Sequence, residues 1–151
     1  QMHAEIAGIA HIEMPQYQKI AVALDFSEND TKLLAAAIGQ SKENSEFILI
    51  HIVESASAIL LGDQTADYET QKDNERLEFY VNELKQKGFI AKGILGFRNS
   101  AKEIVRIVKS ENSDMLVVGA HGHAGLKDFI YGETVNAVRH ELKIPVLVVS
   151  L

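Results

Sequence analysis

Three glycines and a threonine near the end of the chain have the types and spacing of an anion-binding loop. Gly119, Gly122 and Gly132 are followed by Thr134, where a helical pattern begins. Glycines allow backbone N–H groups to approach phosphate oxygens without a side chain in the way. A helix start adds unpaired N–H groups and the positive end of the helix dipole. This segment therefore indicates a cradle for a phosphate group.

An acid closes the first strand-like run of the sequence, Lys19–Asp25 (KIAVALD). In open α/β sheets, ligands bind beyond the carboxyl ends of the strands, where the strand order reverses. The first and fourth strands are neighbours in such folds, so we expect Asp25 to face the loop that begins at Gly119. The Asp25 carboxylate could accept hydrogen bonds from a ligand there, although a strand-end aspartate can also serve only as a turn former.

The glycine loop is not one of the common phosphate-binding motifs. Neither GxxxxGK[ST] nor GxGxxG occurs in the sequence. Glycines also serve plain turns, so the residue pattern alone leaves a turn and a phosphate cradle as alternatives.

Five apolar runs alternate with helical patterns, and these elements must position the loop and Asp25. Helix-start signatures occur at Ser27 and Ser100, and Gly88 is placed to cap a helix. This alternation predicts a three-layer α/β fold with a five-stranded parallel sheet and helices on both faces, in Rossmann-like or flavodoxin-like order. The predicted strands are Lys19–Asp25, Phe47–Val53, Phe89–Gly96, Met115–Val118 and Val146–Val149.

The composition is that of one ordinary globular domain. Of 151 residues, 46% are hydrophobic and 24% are charged, and the formal net charge is -6. An acidic protein lacks the cationic face that nucleic-acid phosphates require, so we expect no nucleic-acid partner. The absence of cysteine excludes disulfides, thiolate metal sites and thiol catalysis. No run resembles a membrane span or a signal peptide, which predicts a cytoplasmic protein without membrane insertion of its own.

The first sixteen residues differ in pattern from the rest. We therefore divide the chain into an N-terminal extension, tag or linker at residues 1–16 and one domain at residues 17–151. Ile6, Ile9 and Ile12 recur every three residues, which allows a short amphipathic turn before Pro15. The extension is either a loose remnant or the end of a longer parent chain.

Taken together, these segments resemble the universal stress protein family. The pattern GxxG, nine residues, then G[ST] is the nucleotide-binding signature of its ATP-binding members, and this chain matches the glycines at Gly119, Gly122 and Gly132. The resemblance covers nearly all of residues 17–151 and implies a fold of the adenine nucleotide alpha hydrolase type. The shared segments are Lys19–Asp25, Val118–Lys127 and Pro145–Val149.

The resemblance implies a site for ATP, AMP or another adenine nucleotide, which could bind with or without Mg²⁺. Asp25 is expected at the ribose or base edge, and Ile52 and Val118 at the adenine. The family usually dimerises by pairing its last strand, here Val146–Ser150, with its copy. The residues implied to contact the nucleotide are Ala23, Asp25, Ile52, Val118, Gly119, His121, Gly122, Gly132, Glu133 and Thr134.

The chain departs from the family pattern at Glu133, where a serine or threonine follows the third glycine. A hydroxyl can donate to a phosphate oxygen, whereas a carboxylate only accepts and repels the phosphate charge unless a divalent cation bridges them. Thr134 could supply the hydroxyl one position later, and Glu133 could point away as a helix N-terminal acid. Binding of AMP, of ADP, of ATP with Mg²⁺ and loss of binding all stay open.

The remaining polar residues favour ordinary structural roles. His121 and His123 lack an apparent third ligand, and His51 lies inside an apolar strand, which is typical of a hydrogen-bonded core histidine. Ser27 is expected to cap a helix, since no nucleophile elbow surrounds it. The acidic run Asp67–Glu83 is expected to be a solvated helix face. We therefore expect no metal site and no catalytic residue.

Three functions compete on this evidence. The first is a nucleotide-binding stress-response or signalling protein that changes conformation or partners on binding and hydrolyses ATP slowly at most. The second is a regulatory or dimerisation domain without nucleotide binding, such as the cytoplasmic C-terminal module of a membrane transporter, which the extension and Glu133 would fit. The third, a metabolic enzyme on a related fold, lacks a nucleophile–base pair or a paired-carboxylate motif.

Overall fold

The computed structural model describes residues 8–9, 11–13, 17–53, 63–120, 135–138 and 140–151, the side chains of residues 63–67 excepted. The strands are β1 Tyr17–Leu24, β2 Ser41–Val53, β3 Ile90–Phe97, β4 Met115–Ala120 and β5 Val146–Ser150. The helices are α1 Asp30–Gly39, α2 Asp63–Gln86 and α3 Ser100–Ser110, and residues 135–138, 140 and 141 are also helical. Within this part of the chain, the strands form a five-stranded parallel sheet in the order β3-β2-β1-β4-β5.

Helices cover both faces of the sheet, as the alternation of strand and helix patterns predicts. One face, which we call the α1–α2 face, packs against Leu33 of α1 and Leu77 of α2. The other, which we call the α3 face, packs against Ile104 and Ile107 of α3 and against Val138 of the last helical segment. Residues alternate between the faces along each strand, and both faces are apolar because both are covered. The predicted three-layer α/β fold is confirmed.

The two serines predicted to cap helices, Ser27 and Ser100, do not occupy the cap positions of α1 and α3. α1 begins at Asp30, and Ser27 instead forms the preceding turn, in which its Oγ accepts from the N–H of Asn29 at 3.2 Å. α3 is capped by Asn99, whose side chain accepts from the N–H of Lys102 at 3.1 Å, and Ser100 is its first residue. A capping side chain must come from an extended residue just before the helix. Asn99 has that conformation and precedes the predicted serine.

The predicted cap at Gly88 is confirmed by geometry. Gly88 has a φ of 92°, which favours glycine. Its N–H donates to the Lys85 carbonyl at 3.0 Å, and the Phe89 N–H donates to the Leu84 carbonyl at 3.0 Å. This pair of bonds is the Schellman motif that closes a helix.

β2 starts earlier than predicted, at Ser41 instead of Phe47. Hydrogen bonds of a polar side chain support this first part of the strand where apolar burial is absent. The Ser45 hydroxyl donates to the Tyr17 carbonyl at 2.7 Å and accepts from the Lys42 N–H at 2.9 Å. The apolar pattern alone could not indicate these contacts.

Two further observations concern the predicted extension and membrane topology. Ile9 and Ile12 lie outside any helix and are 78% and 68% exposed, so the predicted amphipathic turn is not seen at these residues. Of the helices in the described ranges, none combines the length and the apolar character needed to cross a membrane.

Candidate functional site

The candidate site lies where β1 and β4 run side by side. Ile20, Ala21 and Val22 pair with Met115, Leu116 and Val117. The strand order reverses between β1 and β4, because β2 and β3 lie on one side and β5 lies on the other. The prediction that the first and fourth strands are neighbours is therefore confirmed, and Asp25 and Gly119 follow these paired segments at the same edge of the sheet.

The sheet is split at this edge. Pairing between β1 and β4 ends at Val22 with Val117, two residues before β1 ends and three residues before β4 ends. By contrast, β1 stays paired with β2 through Leu24 and His51. β4 stays paired with β5 as far as Ala120 and Ser150. The two central strands therefore separate while each keeps its outer neighbour, which opens a crevice of the kind where doubly wound sheets bind ligands.

An apolar wall borders the split on the α3 face. Ala23, Ile52 and Val118 belong to the same apolar cluster, and each comes from a different strand end. Ile52 lies over Gly96, where an added Cβ would come within 2.6 Å of the Ile52 Cδ1 atom. Val118 is buried, while Ala23 and Ile52 are half-buried. The structure thus brings Ile52 and Val118, predicted to contact the adenine, and Ala23, predicted to contact the nucleotide, to one face of one edge.

Gly119 has a packing reason to be glycine. A Cβ at this position would lie 2.6 Å from the Leu151 Cδ1 atom and 3.4 Å from the Leu33 Cδ2 atom. Both neighbours pack with the α1–α2 face. A side chain at this position would therefore require the Leu151 side chain to shift on the face opposite the apolar wall.

Asp25 organises the turn between β1 and α1. Its Oδ1 atom accepts a hydrogen bond from the Ser27 N–H at 2.9 Å, which is an Asx turn. Its own N–H donates to the Oδ1 atom of Asp30 at 3.2 Å. The predicted turn-forming role of Asp25 is therefore present, and it places the carboxyl group at the edge where a ligand would lie.

Asp30 is a site residue that sequence reasoning missed. Its side chain is 1% exposed although it carries a carboxyl group. Burial raises the pKa of Asp30 to about 6. The charge of Asp25 also raises the pKa of Asp30. Hydrogen bonds from the Asp25 N–H and from the Tyr80 hydroxyl lower it. The spacing from Ser27 indicated a capping box, but the carboxyl group turns toward Asp25 instead.

Phe26 anchors the same turn in a conformation that is rare for a bulky residue. Its φ is 61°, in the left-handed region that favours glycine. Its ring stacks on the His51 ring with 3.9 Å between centroids and lies 5.9 Å from the Tyr80 ring. The Arg76 guanidinium carbon lies 5.8 Å from the centroid of the Phe26 ring. These contacts hold Phe26 in place against the backbone strain.

His51 has the structural role predicted for it. Its Nδ1 atom lies 2.9 Å from the Leu24 carbonyl oxygen, and because that oxygen only accepts, Nδ1 carries the proton. Its Nε2 atom lies 3.6 Å from the Oδ2 atom of Asp73. Asp73 therefore departs from the prediction that the acidic run of α2 is a solvated face, since it turns inward to the imidazole ring.

Half of the predicted site falls outside the described residues. These positions are His121, Gly122, Gly132, Glu133 and Thr134. Among the residues whose positions are described, no group of three or more His, Asp or Glu could hold a metal ion.

The fold and this edge define an open, doubly wound α/β protein whose strand order reverses between β1 and β4, the place where such folds bind ligands. Comparison with known proteins identifies which such family this is. Residues 16–150 match the universal stress protein family model. The chain belongs to the universal stress protein family, as its sequence resemblance predicted.

Relatives of known sequence and structure cover most of the chain. Universal stress protein MJ0577 of Methanocaldococcus jannaschii is 28% identical over 154 residues, which is 89% of this chain and 95% of the relative. Universal stress protein YxiE of Bacillus subtilis is 27% identical over 146 residues, covering 88% and 99%. The solved structure of hypothetical protein MJ0577 has a TM-score of 0.75 at 25% identity, covering 91% of this chain and 98% of its own.

A more distant structural neighbour contains a nucleotide. The universal stress protein of Archaeoglobus fulgidus, solved in complex with dAMP, has a TM-score of 0.63 at 17% identity and covers 87% of this chain and 97% of its own. At this identity the likeness establishes the fold that the two proteins share.

Proposed function

We propose that this chain binds an adenine nucleotide in the crevice between β1 and β4, and that binding changes its conformation and association in stress response or signalling. One observation carries the proposal. The split between β1 and β4 is bordered by the apolar wall of Ala23, Ile52 and Val118 and by the carboxyl group of Asp25. This combination supports a ligand with a flat apolar ring and a sugar that donates hydrogen bonds.

The apolar wall suits the ring of the base. Ala23 is small and half-buried, so a ring could lie over it without displacing a large side chain. Ile52 and Val118 come from the strand ends on either side of β1 and would contact the ring from two directions. Apolar rings gain free energy from such contacts at about 25 cal/mol per Å² of buried apolar surface.

Asp25 suits the sugar. One oxygen of its carboxyl group accepts from the Ser27 N–H, and a carboxylate has lone pairs for further donors. Ribose hydroxyls are such donors. Hydrogen bonds to charged groups contribute about 1.5 to 3 kcal/mol, so we expect Asp25 to be a main contributor to affinity.

The phosphates would lie along the family signature, at Gly119, His121, Gly122, Gly132 and the two residues after it. Glu133 would repel the outer phosphates of ATP, so we propose that ATP binds more tightly with Mg²⁺ bridging the two. AMP has no outer phosphates and would bind without that requirement. The complex of a family neighbour with dAMP and that of another with cAMP support an adenine nucleotide as the ligand class.

Isothermal titration calorimetry with ATP, with ATP and Mg²⁺, and with AMP tests the proposal. The informative variant is Asp25→Asn, because asparagine can still accept from the Ser27 N–H but loses the charge. We expect it to weaken binding about tenfold or more. The matched control is Asp114→Asn at the opposite edge, where the carboxylate accepts from the N–H groups of Gln18 and Lys19.

Wild-type protein that gives no heat with any of the three ligands would contradict the proposal. The alternative of a regulatory or dimerisation domain, such as the C-terminal module of a transporter, would then describe the chain better. Equal losses in Asp25→Asn and Asp114→Asn would instead remove Asp25 from the site.

We further propose that two copies associate along β5 to form a homodimer. β5 is the last strand in the sheet order, so its outer edge faces away from the described sheet. Val148 on this strand is 36% exposed. An apolar edge strand of this kind is suited to pairing with a second chain.

Sedimentation equilibrium of the wild type and of Val148→Lys tests the dimer. We expect a wild-type dimer at micromolar concentration and dissociation in the variant, because a lysine on an exposed edge strand places charge where the second chain would pair. A monomeric wild type would contradict the proposed interface.

A further inference from the structure

The turn between β1 and α1 contains two carboxyl groups whose bonds are interlocked. Asp25 donates its N–H to Asp30 at 3.2 Å, and the carboxyl group of Asp25 accepts from Ser27 at 2.9 Å. Asp30 thus holds the backbone of the residue whose side chain defines the turn. The proposed ligand contact depends on where the Asp25 carboxyl group points. A change at Asp30 would therefore alter that contact through the hydrogen bond between the two residues.

Asp30 itself is enclosed. Its side chain is 1% exposed, in contrast to Asp25, which is half-buried. Two adjacent carboxyl groups cannot both ionise without repulsion, and a buried member of such a pair retains its proton longest. A proton on Asp30 also allows it to donate a hydrogen bond to the Asp25 carboxylate, and that interaction favours the protonated form.

The charged and titratable surroundings are few within the described residues. From α2, the Tyr80 hydroxyl faces Asp30, and burial together with the Asp30 charge raises the pKa of Tyr80 to about 12. Arg76 of α2 lies over Phe26 and lowers the pKa of Tyr80. From β2, His51 is bound to the Leu24 carbonyl and faces Asp73. Asp30 and Asp25 are thus the carboxyl pair of this turn, and burial raises the pKa of Asp30 to about 6.

We propose that Asp30 is a positioning residue for Asp25, and that the proton on Asp30 controls how tightly the crevice binds the sugar of a nucleoside. This inference rests on the proposed nucleotide-binding function. A ligand seated on Asp25 excludes water from the carboxyl pair and makes an ionised Asp30 costlier. Binding therefore takes up a proton, and affinity falls as Asp30 ionises.

The test uses adenosine, which has the base and sugar but no phosphate that titrates in the same range. Calorimetry between about pH 5.5 and about pH 7.5 is expected to show a dissociation constant that rises by up to about tenfold for the wild type. In Asp30→Asn, which resembles the protonated form, the dissociation constant is expected to stay constant. Glu43→Gln, which removes an exposed carboxyl group, serves as the matched control and should follow the wild type.

A second readout needs no ligand. The amide resonances of Asp25 and Ser27 are expected to titrate with a midpoint near pH 6 in the wild type and not in Asp30→Asn. In Tyr80→Phe, the midpoint is expected to move to higher pH, because the hydroxyl that lowers the pKa of Asp30 is gone. This variant keeps Asp30 and tests the idea even if Asp30→Asn does not fold.

The outcomes separate the two proposals. The role of Asp30 would be overturned if the wild type and Asp30→Asn bound adenosine with parallel pH profiles. It would also be overturned if the amides of Asp25 and Ser27 did not titrate near pH 6. The proposed function would stand in both cases. Amides that titrate as expected in a protein that binds neither adenosine nor AMP nor ATP at any pH would overturn the proposed function and confine Asp30 to holding the turn.

Discussion

The two faces of the sheet differ in chemistry at its carboxyl edge. On the α3 face, the edge presents the apolar wall of Ala23, Ile52 and Val118, which would contact a ring-shaped ligand through apolar atoms. On the α1–α2 face, a few residues away, Asp30 and Tyr80 hold the turn through hydrogen bonds, and Phe26 stacks on His51. One face therefore offers a surface for a ligand, and the other fixes the backbone that carries Asp25. Substitutions in the apolar wall should act mainly on affinity, whereas substitutions on the α1–α2 face should act on stability and, through Asp25, on the pH dependence of affinity.

The largest expected effect is on the pH dependence of stability and arises on the α1–α2 face. Folding raises the pKa of Asp30 from its ordinary value of 3.8 to about 6. The folded protein thus holds this proton more tightly than the unfolded chain does. Its stability falls as pH rises from about 4 to about 6, and the loss of about 3 kcal/mol persists above pH 6.

Urea denaturation of the wild type and of Asp30→Asn at both ends of this range measures the effect. We expect the stability of Asp30→Asn relative to the wild type to increase by up to about 3 kcal/mol between pH 4 and pH 7. Glu43→Gln is the exposed carboxyl control. A stability difference between Asp30→Asn and the wild type that is the same at every pH would show that Asp30 does not carry the buried proton.

The next effect separates packing from backbone strain at Phe26. Phe26→Ala removes the ring from His51 and Arg76 but keeps a side chain at a φ of 61°, and should cost about 2 kcal/mol. Phe26→Gly loses the same ring but relieves the left-handed strain, so it should be about 1 kcal/mol more stable than Phe26→Ala. Thermal denaturation of the pair measures the difference. If alanine is the more stable of the two, the turn stores no strain.

The smallest effect belongs to the α3 face and should appear in affinity. Ile52→Ala is expected to weaken adenosine binding about fivefold while preserving its pH dependence, because the apolar wall shrinks and the carboxyl pair stays intact. Ile94→Ala on the neighbouring strand, half-buried in the same cluster, is the matched control for lost packing. Calorimetry in which both variants lose affinity equally would show that the wall acts through stability alone.

The sequence was sufficient to predict the fold because its signals are local and repeated. Each strand is an apolar run with a helical pattern after it, and parallel pairing with right-handed crossovers then leaves few topologies. Asp25 was predicted as a site residue from its place at a strand end, because ligands bind at the carboxyl ends of strands in such sheets. The family resemblance supplied Ala23, Ile52 and Val118, which no residue pattern would have selected.

Asp30 and Phe26 could not be predicted because their roles depend on distant parts of the chain. Asp30 follows Ser27 at the spacing of a capping box, and only contact with Tyr80 and enclosure by the fold give its carboxyl group another role. The left-handed backbone of Phe26 depends on stacking with His51, which comes from β2. Local propensity cannot indicate such tertiary contacts.

The early end of pairing between β1 and β4 also bears on how such a site persists through evolution. Beyond Val22 and Val117, the peptide groups of the two central strands no longer bond to each other and face a shared opening. A ligand held there by peptide N–H and C=O groups would be recognised by the path of the main chain, which substitutions alter little. Relatives only 28% identical to this chain could then keep the same opening while the side chains around it drift.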